Sequence, residues 1–336
     1  MITLSSLMQL EQEGLITLRP NKDNNLFIAN YTPQVQYGRL WTDLLLKCRG
    51  LIIDTQNQII ARPLPKFFNL EEHAKDELPL EEFEVYEKLD GSLGISYYDK
   101  GWKIASRGSF YSEQAEKATY LLHSKYSAVL HLLDRDKTYL FEIIYPANKI
   151  VVDYGDRESL VLLAIIDTKT GAEQSIDDFP FPEKVKRYEG INDLNTIRMF
   201  ENKEEEGFVI KFESGFRVKV KFTEYLKLHK LFTQVTSKTI WEYLMHQKNF
   251  DELLEKTPDE FYTWIKTVKQ NIEKEHENVL LEVRSNFKNA PDFASRKDFA
   301  QWAQTQKYPN LLFSLLDGKR IEEKAWKLVE PDYERP

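Results

Sequence analysis

Lys88-Leu89-Asp90-Gly91-Ser92 sits between Phe83-Glu84-Val85-Tyr86 and the apolar run Leu93–Tyr98. The flanks read as strands, and the pentapeptide as the turn between them, because Asp-Gly is a strong hairpin signal. A lysine at this place has two readings. One is a solvated lysine beside an ordinary hairpin. The other is a nucleophile, which needs an amine that has lost its proton, a state favoured by desolvation and neighbouring cations.

A second pattern lies downstream in Val218-Lys219-Val220-Lys221. Residues i and i+2 of a strand share a face, so Lys219 and Lys221 point together and Val218 and Val220 point the other way. Two adjacent ammonium groups repel unless they serve an anion such as a phosphate, or unless the face is simply wet. Two acids have strand-like settings. Glu142 lies within Leu140-Phe141-Glu142-Ile143-Ile144-Tyr145, and Glu206, preceded by Glu204-Glu205, opens Gly207-Phe208-Val209-Ile210. A carboxylate among buried strand residues is costly unless it meets a metal, a sugar hydroxyl or a cation. A structural salt bridge for Glu142 and a solvated loop for Glu206 are the plainer readings. Three cations precede or follow β-like runs: Arg49 in Lys47-Cys48-Arg49-Gly50, Lys66 in Pro65-Lys66-Phe67-Phe68-Asn69, and Arg107 in Ser106-Arg107-Gly108. Each by itself is also an ordinary surface cation.

The texture changes near residue 222. Short β-rich runs precede it: Gly50–Asp54, Gln58–Ala61, Leu93–Tyr98, Trp102–Ser106, Tyr139–Ile144, Leu160–Asp167, Gly207–Phe212 and Phe216–Phe222, interrupted by helical patterns at Leu4–Glu13 and Ser112–Asp134. Helical periodicity follows it at Tyr225–Val235, Lys238–His246, Pro258–Ser285 and Arg296–Lys307. These features predict an α+β domain over residues 1–222 and an all-helical domain over 223–336.

The composition sets the outer limits. The 336 residues suit about two domains. Hydrophobic residues make up 42% and charged residues 30%, the balance of a soluble globular chain. A single cysteine, Cys48, excludes an intrachain disulfide and a multi-cysteine zinc site. The N-terminus has no basic stretch followed by an apolar one, and no run approaches the roughly 20 apolar residues of a spanning helix. A cytoplasmic protein with no membrane partner is expected. Net charge is −8, and residues 223–336 contribute only −1 of it, with 18 Lys+Arg against 19 Asp+Glu. A nucleic-acid partner therefore requires basic residues gathered locally. The phosphate-binding GxxxxGK[ST], the GxSxG elbow and the HExxH zinc motif are all absent.

Taken in order, Lys88–Gly91, Ser106–Gly108, Phe141-Glu142, Glu206–Val209 and Lys219/Lys221 resemble the motifs of the covalent nucleotidyltransferases, the polynucleotide ligases and mRNA capping enzymes. Cys48-Arg49-Gly50, Ala61-Arg62-Pro63, Lys66-Phe67-Phe68-Asn69 and Pro146-Ala147-Asn148-Lys149-Ile150-Val151 narrow this to a resemblance to the T4-type RNA ligase 1 family, the tRNA-repair ligases. It covers roughly residues 30–222. DNA ligases and capping enzymes append a β-barrel after the paired-lysine strand, whereas helices follow it here.

The resemblance implies a nucleotidyltransferase domain with antiparallel sheets and flanking helices. It implies an ATP-dependent RNA ligase joining 5′-phosphate to 3′-hydroxyl ends through a lysyl-AMP on Lys88 and an adenylated RNA end. Lys219 and Lys221 would neutralise the α-phosphate, and Arg49 and Lys66 would hold the outer phosphates. Arg107 would lie near the ribose or the RNA end. Asp90, Glu142 and Glu206 would hold Mg²⁺ or Mn²⁺ through waters, with Glu142 a ribose contact as the other option. The expected partners are RNA, including a nicked tRNA anticodon loop, and a separate end-healing kinase or phosphatase. The other readings are a DNA ligase or GTP-using capping-type enzyme, and an inactive RNA-binding protein of the same fold. Arg284, Lys288, Arg296 and Lys297 are candidate RNA contacts or simply solvated helix faces.

Overall fold

A computed structural model describes residues 2–197, 200, 205–223, 225–227, 235–255, 257 and 261–332. Contacts divide the chain into two compact units, residues 1–232 and 233–336. The first is built from three sheets, and the alternation of apolar and polar residues along their strands determines what each face buries.

Sheet A is antiparallel in the order β1 (Ile16–Pro20), β2 (Leu26–Tyr31), β3 (Arg49–Asp54), β4 (Ile59–Ala61). One face, with Ala29, Leu51 and Ile53, packs around Leu7 of the helix Leu4–Gln12, which Thr3 caps in a capping box. The other face presents Ile28 and Ile52 to Ile95, Leu140 and Ile166 of a second sheet.

That second sheet, C, runs β11 (Glu173–Gln174), β10 (Ser159–Asp167), β9 (Lys137–Ile144), β7 (Ser92–Tyr98), β8 (Trp102–Ser106), all antiparallel. Tyr139, Phe141 and Ile143 of β9 face the core that also holds Ala118, Leu121 and Leu122 of the helix Glu113–Ser124. The intervening Leu140 faces sheet A, and by strand parity so does Glu142.

Sheet B runs β12 (Arg187–Tyr188), β6 (Phe83–Lys88), β13 (Gly207–Phe212), β14 (Arg217–Lys221), β5 (Phe68–Asn69). Its pairs are antiparallel except β14 with β5, which is parallel. Val85, Phe208, Ile210, Phe212, Val218 and Val220 fill the core under one face. The turn 89–91 leads from β6 of sheet B into β7 of sheet C, so the quoted pentapeptide is the crossing point between two sheets rather than a hairpin within one.

One predicted helix is shorter than its periodicity suggests. The pattern Ser112–Asp134 yields a helix only over Glu113–Ser124, followed by 3₁₀ turns over Ser127–Leu132. Tyr126 breaks it. Its hydroxyl donates to Glu183 at 2.6 Å and accepts from Leu160 N at 3.1 Å, and its ring stacks on Phe181 at 4.8 Å. Those tertiary contacts outweigh local helical propensity.

Among its described residues the second unit has helices and no strand: Ser237–Met245, Phe250–Glu255, Tyr262–Lys288, Arg296–Gln304, Pro309–Leu316 and Glu322–Trp326. Ile265, Ile272, Val279 and Val283 make the buried stripe of the long helix. The pattern expected over Arg296–Lys307 ends at Gln304, where Thr305 closes the helix. Of the expected helices Tyr225–Val235 and Pro258–Ser285, residues 228–234 and 258–260 lie outside the described residues, as does Glu204. No helix among the described residues is long and apolar enough to cross a membrane.

Phe141 is fully buried, with its ring 5.1 Å from that of Phe181. Phe141→Ala should cost about 3–5 kcal/mol of stability, read by denaturant unfolding, since the cavity left there has little room to collapse.

Candidate active site

Charged side chains are almost never fully buried unless something specific holds them. Among the described residues the buried charged ones are Lys66, Asp90, Glu206 and Lys219, and all four are residues that the motifs single out. The strand register explains how they meet. On β13, Gly207 pairs with Lys88 of β6 on one side and with Lys221 of β14 on the other. Glu206, one residue earlier, therefore has a lysine on each flank. Its Oε2 accepts from Lys88 Nζ at 2.6 Å, and its Oε1 lies 3.5 Å from Lys221 Nζ. Lys219 shares the face of Lys221, two residues away, while Val218 and Val220 lie in the core beneath. The parallel pairing of Lys219 with Asn69 brings the segment 66–69 alongside. Lys66 in that segment lies 5.4 Å from the ring centre of Phe68.

Gly207 makes this register possible. It has φ 151°, and a Cβ there would lie 1.9 Å from Val220 O. Gly91 does the same for the turn, where a Cβ would meet Ile143 O at 2.6 Å. Without that side chain the Gly91 N–H donates to Glu142 Oε1 at 3.0 Å.

Asp90 is held from several directions. Its Oδ2 accepts from the backbone N–H groups of Val151 and Val152, both at 2.8 Å, and its Oδ1 accepts from the Tyr225 hydroxyl at 2.9 Å. Its own N–H donates to the Tyr154 hydroxyl at 2.9 Å. The ring of Tyr154 packs against the cores of both sheets B and C. Asp90 thus ties the turn carrying Lys88 to the loop 151–154 and to Tyr225. A cavity of about 380 Å³ opens beside it, walled in part by Tyr145, Asn148, Lys149 and Tyr154. Asn148 is itself fixed, donating to Ile143 O at 3.0 Å and accepting from Ser92 Oγ at 3.1 Å.

The sheet A side supplies more cations. Arg49 and Arg107 flank Tyr31: Arg49 hydrogen-bonds with it, and Arg107 lies 5.6 Å from its ring centre. Burial draws the Arg49 guanidinium below the ordinary arginine pKa, an effect that the nearby Arg107 reinforces and that Tyr31 and Glu142 oppose. Tyr31 stands edge-on to Trp41 at 5.0 Å, and Trp41 to Phe68 at 5.4 Å, so an aromatic row backs Arg49, Arg107 and Lys66. Glu142 responds to the whole cluster. Burial pushes its carboxyl up to about 7, Lys88 pulls it down, and Glu206 pushes it further up. Cys48, next to Arg49, is buried, and burial pushes its thiol up to about 12, so it is no nucleophile.

The six cations Arg49, Lys66, Lys88, Arg107, Lys219 and Lys221 stand on these neighbouring segments against three acids, Asp90, Glu142 and Glu206, an excess of at least three positive charges. Two buried acceptors also lack partners, Asn69 Oδ1 beside Lys219 and Asn30 Oδ1, whose residue pairs with Arg49. Excess cations and unsatisfied polar atoms fit a polyanionic ligand. Among the described residues no group of three or more acids, histidines or cysteines could cage a metal ion. A hard cation here would instead rest on one or two carboxylates, its waters and ligand phosphates, the ordinary state of Mg²⁺. Sequence motifs did not reveal Tyr31, Tyr154 or Tyr225. The only local signal was the position of Tyr225, four residues beyond Lys221.

Two outcomes check this geometry. The folded Glu142 carboxyl keeps its proton up to about pH 7, whereas in the unfolded chain it ionises near 4.5. The folded state therefore binds more protons between these values. Ligand-free, EDTA-treated protein should lose roughly 3–4 kcal/mol relative to Glu142→Gln as pH rises through that interval, and no more above it. A pH-independent difference in unfolding free energy would show that Glu142 ionises normally. Tyr154→Phe keeps the ring but leaves the Asp90 N–H without its acceptor, and it should cost about 1–3 kcal/mol in thermal unfolding.

A family model described as RNA ligase matches residues 47–226. The chain is similar to the RNA ligase of Rhodothermus phage RM378, 24% identical, covering 95% of this chain and 90% of that one. A Thermovibrio ammonificans protein bearing an RNA ligase name is 30% identical over 69% of this chain and 65% of its own length. A protein of Autographa californica nuclear polyhedrosis virus, named as a bifunctional polynucleotide kinase/RNA ligase, is 27% identical over 63% of this chain. The chain spans 35% of that viral protein's length. Among solved structures, a Naegleria gruberi RNA ligase mutant with ATP and Mn is 21% identical, with a TM-score of 0.38 over 46% of this chain and 53% of that one. Another mutant of it, with AMP and Mn, gives a TM-score of 0.41 at 20% identity, over 49% and 57%. The matched segment 47–226 takes in Arg49 at one end and Tyr225 at the other, with every buried charge of the described residues between them, and on that match this chain belongs to the T4-type RNA ligase family.

Proposed function

We propose that the protein is an ATP-dependent RNA ligase that joins a 5′-phosphate to a 3′-hydroxyl through an AMP carried on Lys88. The observation that carries this reading is the gathering of all the described buried charges, with a cationic surplus, around one lysine at the end of a strand. The solved relatives whose names include ATP or AMP with Mn agree with the choice of nucleotide and of a divalent ion.

In the first step Lys88 Nζ, having lost a proton, bonds to the α-phosphorus of ATP, and the bond from that phosphorus to the bridging oxygen breaks. Pyrophosphate leaves. Lys219 and Lys221 face the charge that builds on the α-phosphate, and Arg49 and Lys66 hold the departing phosphates in line with the amine. In the second step an oxygen of the RNA 5′-phosphate attacks the same phosphorus, and Lys88 recovers its amine. In the third a 3′-hydroxyl attacks the activated 5′-phosphate, and AMP departs. Arg107, beside Tyr31, is placed for the ribose or the RNA end.

Glu206 has a specific part at the outset. Its hydrogen bond holds Lys88 as an ammonium partner, so attack requires that carboxylate to turn away. Mg²⁺ or Mn²⁺ held by Glu206 and Glu142 through waters would neutralise phosphate charge and give Glu206 that alternative partner. Asp90, its oxygens engaged by Val151, Val152 and Tyr225, serves as the positioning residue of the Lys88 turn.

The substrate reading extends to RNA repair, including a nicked tRNA anticodon loop, in the cytoplasm. The polynucleotide kinase in the viral relative's name supports a partnership with a separate end-healing activity. Residues 1–222 serve as the adenylyltransferase domain and 223–336 as the helical RNA-recognising domain.

Incubation with α-labelled ATP or GTP and Mg²⁺, followed by denaturing electrophoresis, tests the first step. Label from ATP should remain on the wild-type protein and fall to background in Lys88→Ala. Label from GTP alone would point to capping chemistry. No label from either, in folded protein freed of bound AMP, would refute the lysyl-AMP mechanism.

A further inference from the structure

Positive charge also collects in the second unit, at a place that the motifs do not mark. A cavity of about 540 Å³ is walled by the helix Pro309–Leu316 and the segments on either side of it. Lys307, Lys319, Lys324 and Lys327 line it, against one carboxylate, Asp317. Its size lies within the range of ligand-binding clefts.

The arginines suggested by the helical texture are paired with acids, and Arg296 takes the cavity's own Asp317. Arg284 pairs with Glu322 at 2.8 Å, and Arg296 with Asp317 at 2.8 Å. Both are ties between segments of the helical unit. Lys307 and Lys319 have acids at 3.5 Å, Glu282 and the same Asp317. Among the described residues no carboxylate lies within 4.0 Å of Lys324 or Lys327. Lys324 is nevertheless held in place. Its ammonium donates to Ser314 Oγ at 2.7 Å, and that hydroxyl, on a buried residue, donates to Asn310 O at 2.9 Å.

A lysine serving only solubility extends into water and samples many rotamers. Here one is anchored through a buried serine, in a concavity with three more ammonium groups and a carboxylate already shared by Arg296 and by Lys319, one of those three. Concave walls of low dielectric focus such a field, and the ligand that relieves the repulsion is an anion with more than one charge. Successive phosphates of a polynucleotide satisfy four separated ammonium groups better than one compact ion does. Tyr308, with Lys307 Nζ 4.9 Å from its ring centre, adds an aromatic face for a base.

We propose that this cavity is a second RNA-contact site, in which Lys324 and Lys327, assisted by Lys307 and Lys319, bind backbone phosphates of the strand being sealed. The choice of RNA as the polyanion rests on the ligase reading above. The full chain and its Lys324→Gln/Lys327→Gln variant would be titrated with a fluorescein-labelled single-stranded RNA over a series of KCl concentrations. ATP labelling of Lys88 would be measured on the same preparations. The variant should melt like wild type and bind RNA about tenfold more weakly at low salt. Its log–log salt slope should be shallower by about 1.4, the expectation for two lost phosphate contacts on a single strand, while Lys88 labelling stays unchanged. Lys324→Arg/Lys327→Arg should restore both affinity and slope. An unchanged affinity and slope in the glutamine variant, with Lys88 labelling intact, overturns the cavity proposal and leaves the ligase reading standing. Weakened RNA binding in protein that takes no label from ATP supports the cavity and overturns the ligase reading instead.

Discussion

One carboxylate between two lysines organises the site. Glu206 holds Lys88 and Lys221 on either side of a glycine, on three neighbouring strands of one sheet. Gathering three charges around one buried carboxylate is expensive, and a hydrophobic substitute of similar volume is often as stable or more so. The arrangement therefore argues for function rather than stability. It also requires close strand packing, which Gly207 allows because any larger residue would strike Val220 O. Sheet B is hydrophobic beneath and cationic above because the strand period of two separates Val218 and Val220 from Lys219 and Lys221.

The turn that carries Lys88 crosses from one sheet to another, and such a crossing is only as stiff as its anchors. Asp90 supplies them. Two backbone N–H groups, the Tyr225 hydroxyl and the hydroxyl of Tyr154 converge on that residue. Hydrogen bonds to a charged group contribute roughly 1.5–3 kcal/mol each, enough to hold the lysine in a single attitude. Segment 151–154 and Tyr225 are thereby tied to the turn that carries Lys88. The raised Glu142 carboxyl follows from burial, which Glu206 reinforces and which outweighs the pull of Lys88 and Arg49.

The two units differ in how they hold their charges. In the first, cations outnumber acids inside a buried site, and an acid is shared among several of them. In the second, several arginine and lysine side chains pair with acids from other segments, as Arg284 does with Glu322 and Lys238 with Glu330. The cavity beside the helix Pro309–Leu316 departs from that pattern, with Lys324 directed by a hydroxyl in place of a carboxylate. Local excess of one sign, rather than the net charge of −8, is what each unit offers to an anion.

Much of the site was legible in the order of residues. Lys88 before Asp90-Gly91, Glu206 before Gly207, and Lys219 alternating with Lys221 are local patterns, and local patterns show where a turn falls and which strand face a residue takes, though the turn at 89–91 joins two sheets and is no hairpin. The change from strand to helix periodicity near residue 222 was visible for the same reason. Other features depended on chain folding across long separations. The partners that hold Asp90, Val151, Val152 and Tyr225, come from 61, 62 and 135 residues away. The helix expected through Asp134 ended early because the Tyr126 hydroxyl found Glu183, 57 residues on. Arg284 and Arg296 looked like solvated cations in the sequence, and only packing showed their acids, while among the described residues it gave Lys324 and Lys327 none. The sequence by itself determined which residue types stand at the turns and strand ends, because period and turn chemistry are local. Tertiary structure alone decided which charges are spent on one another and which remain for a ligand, because ion pairing depends on distance in space, not along the chain.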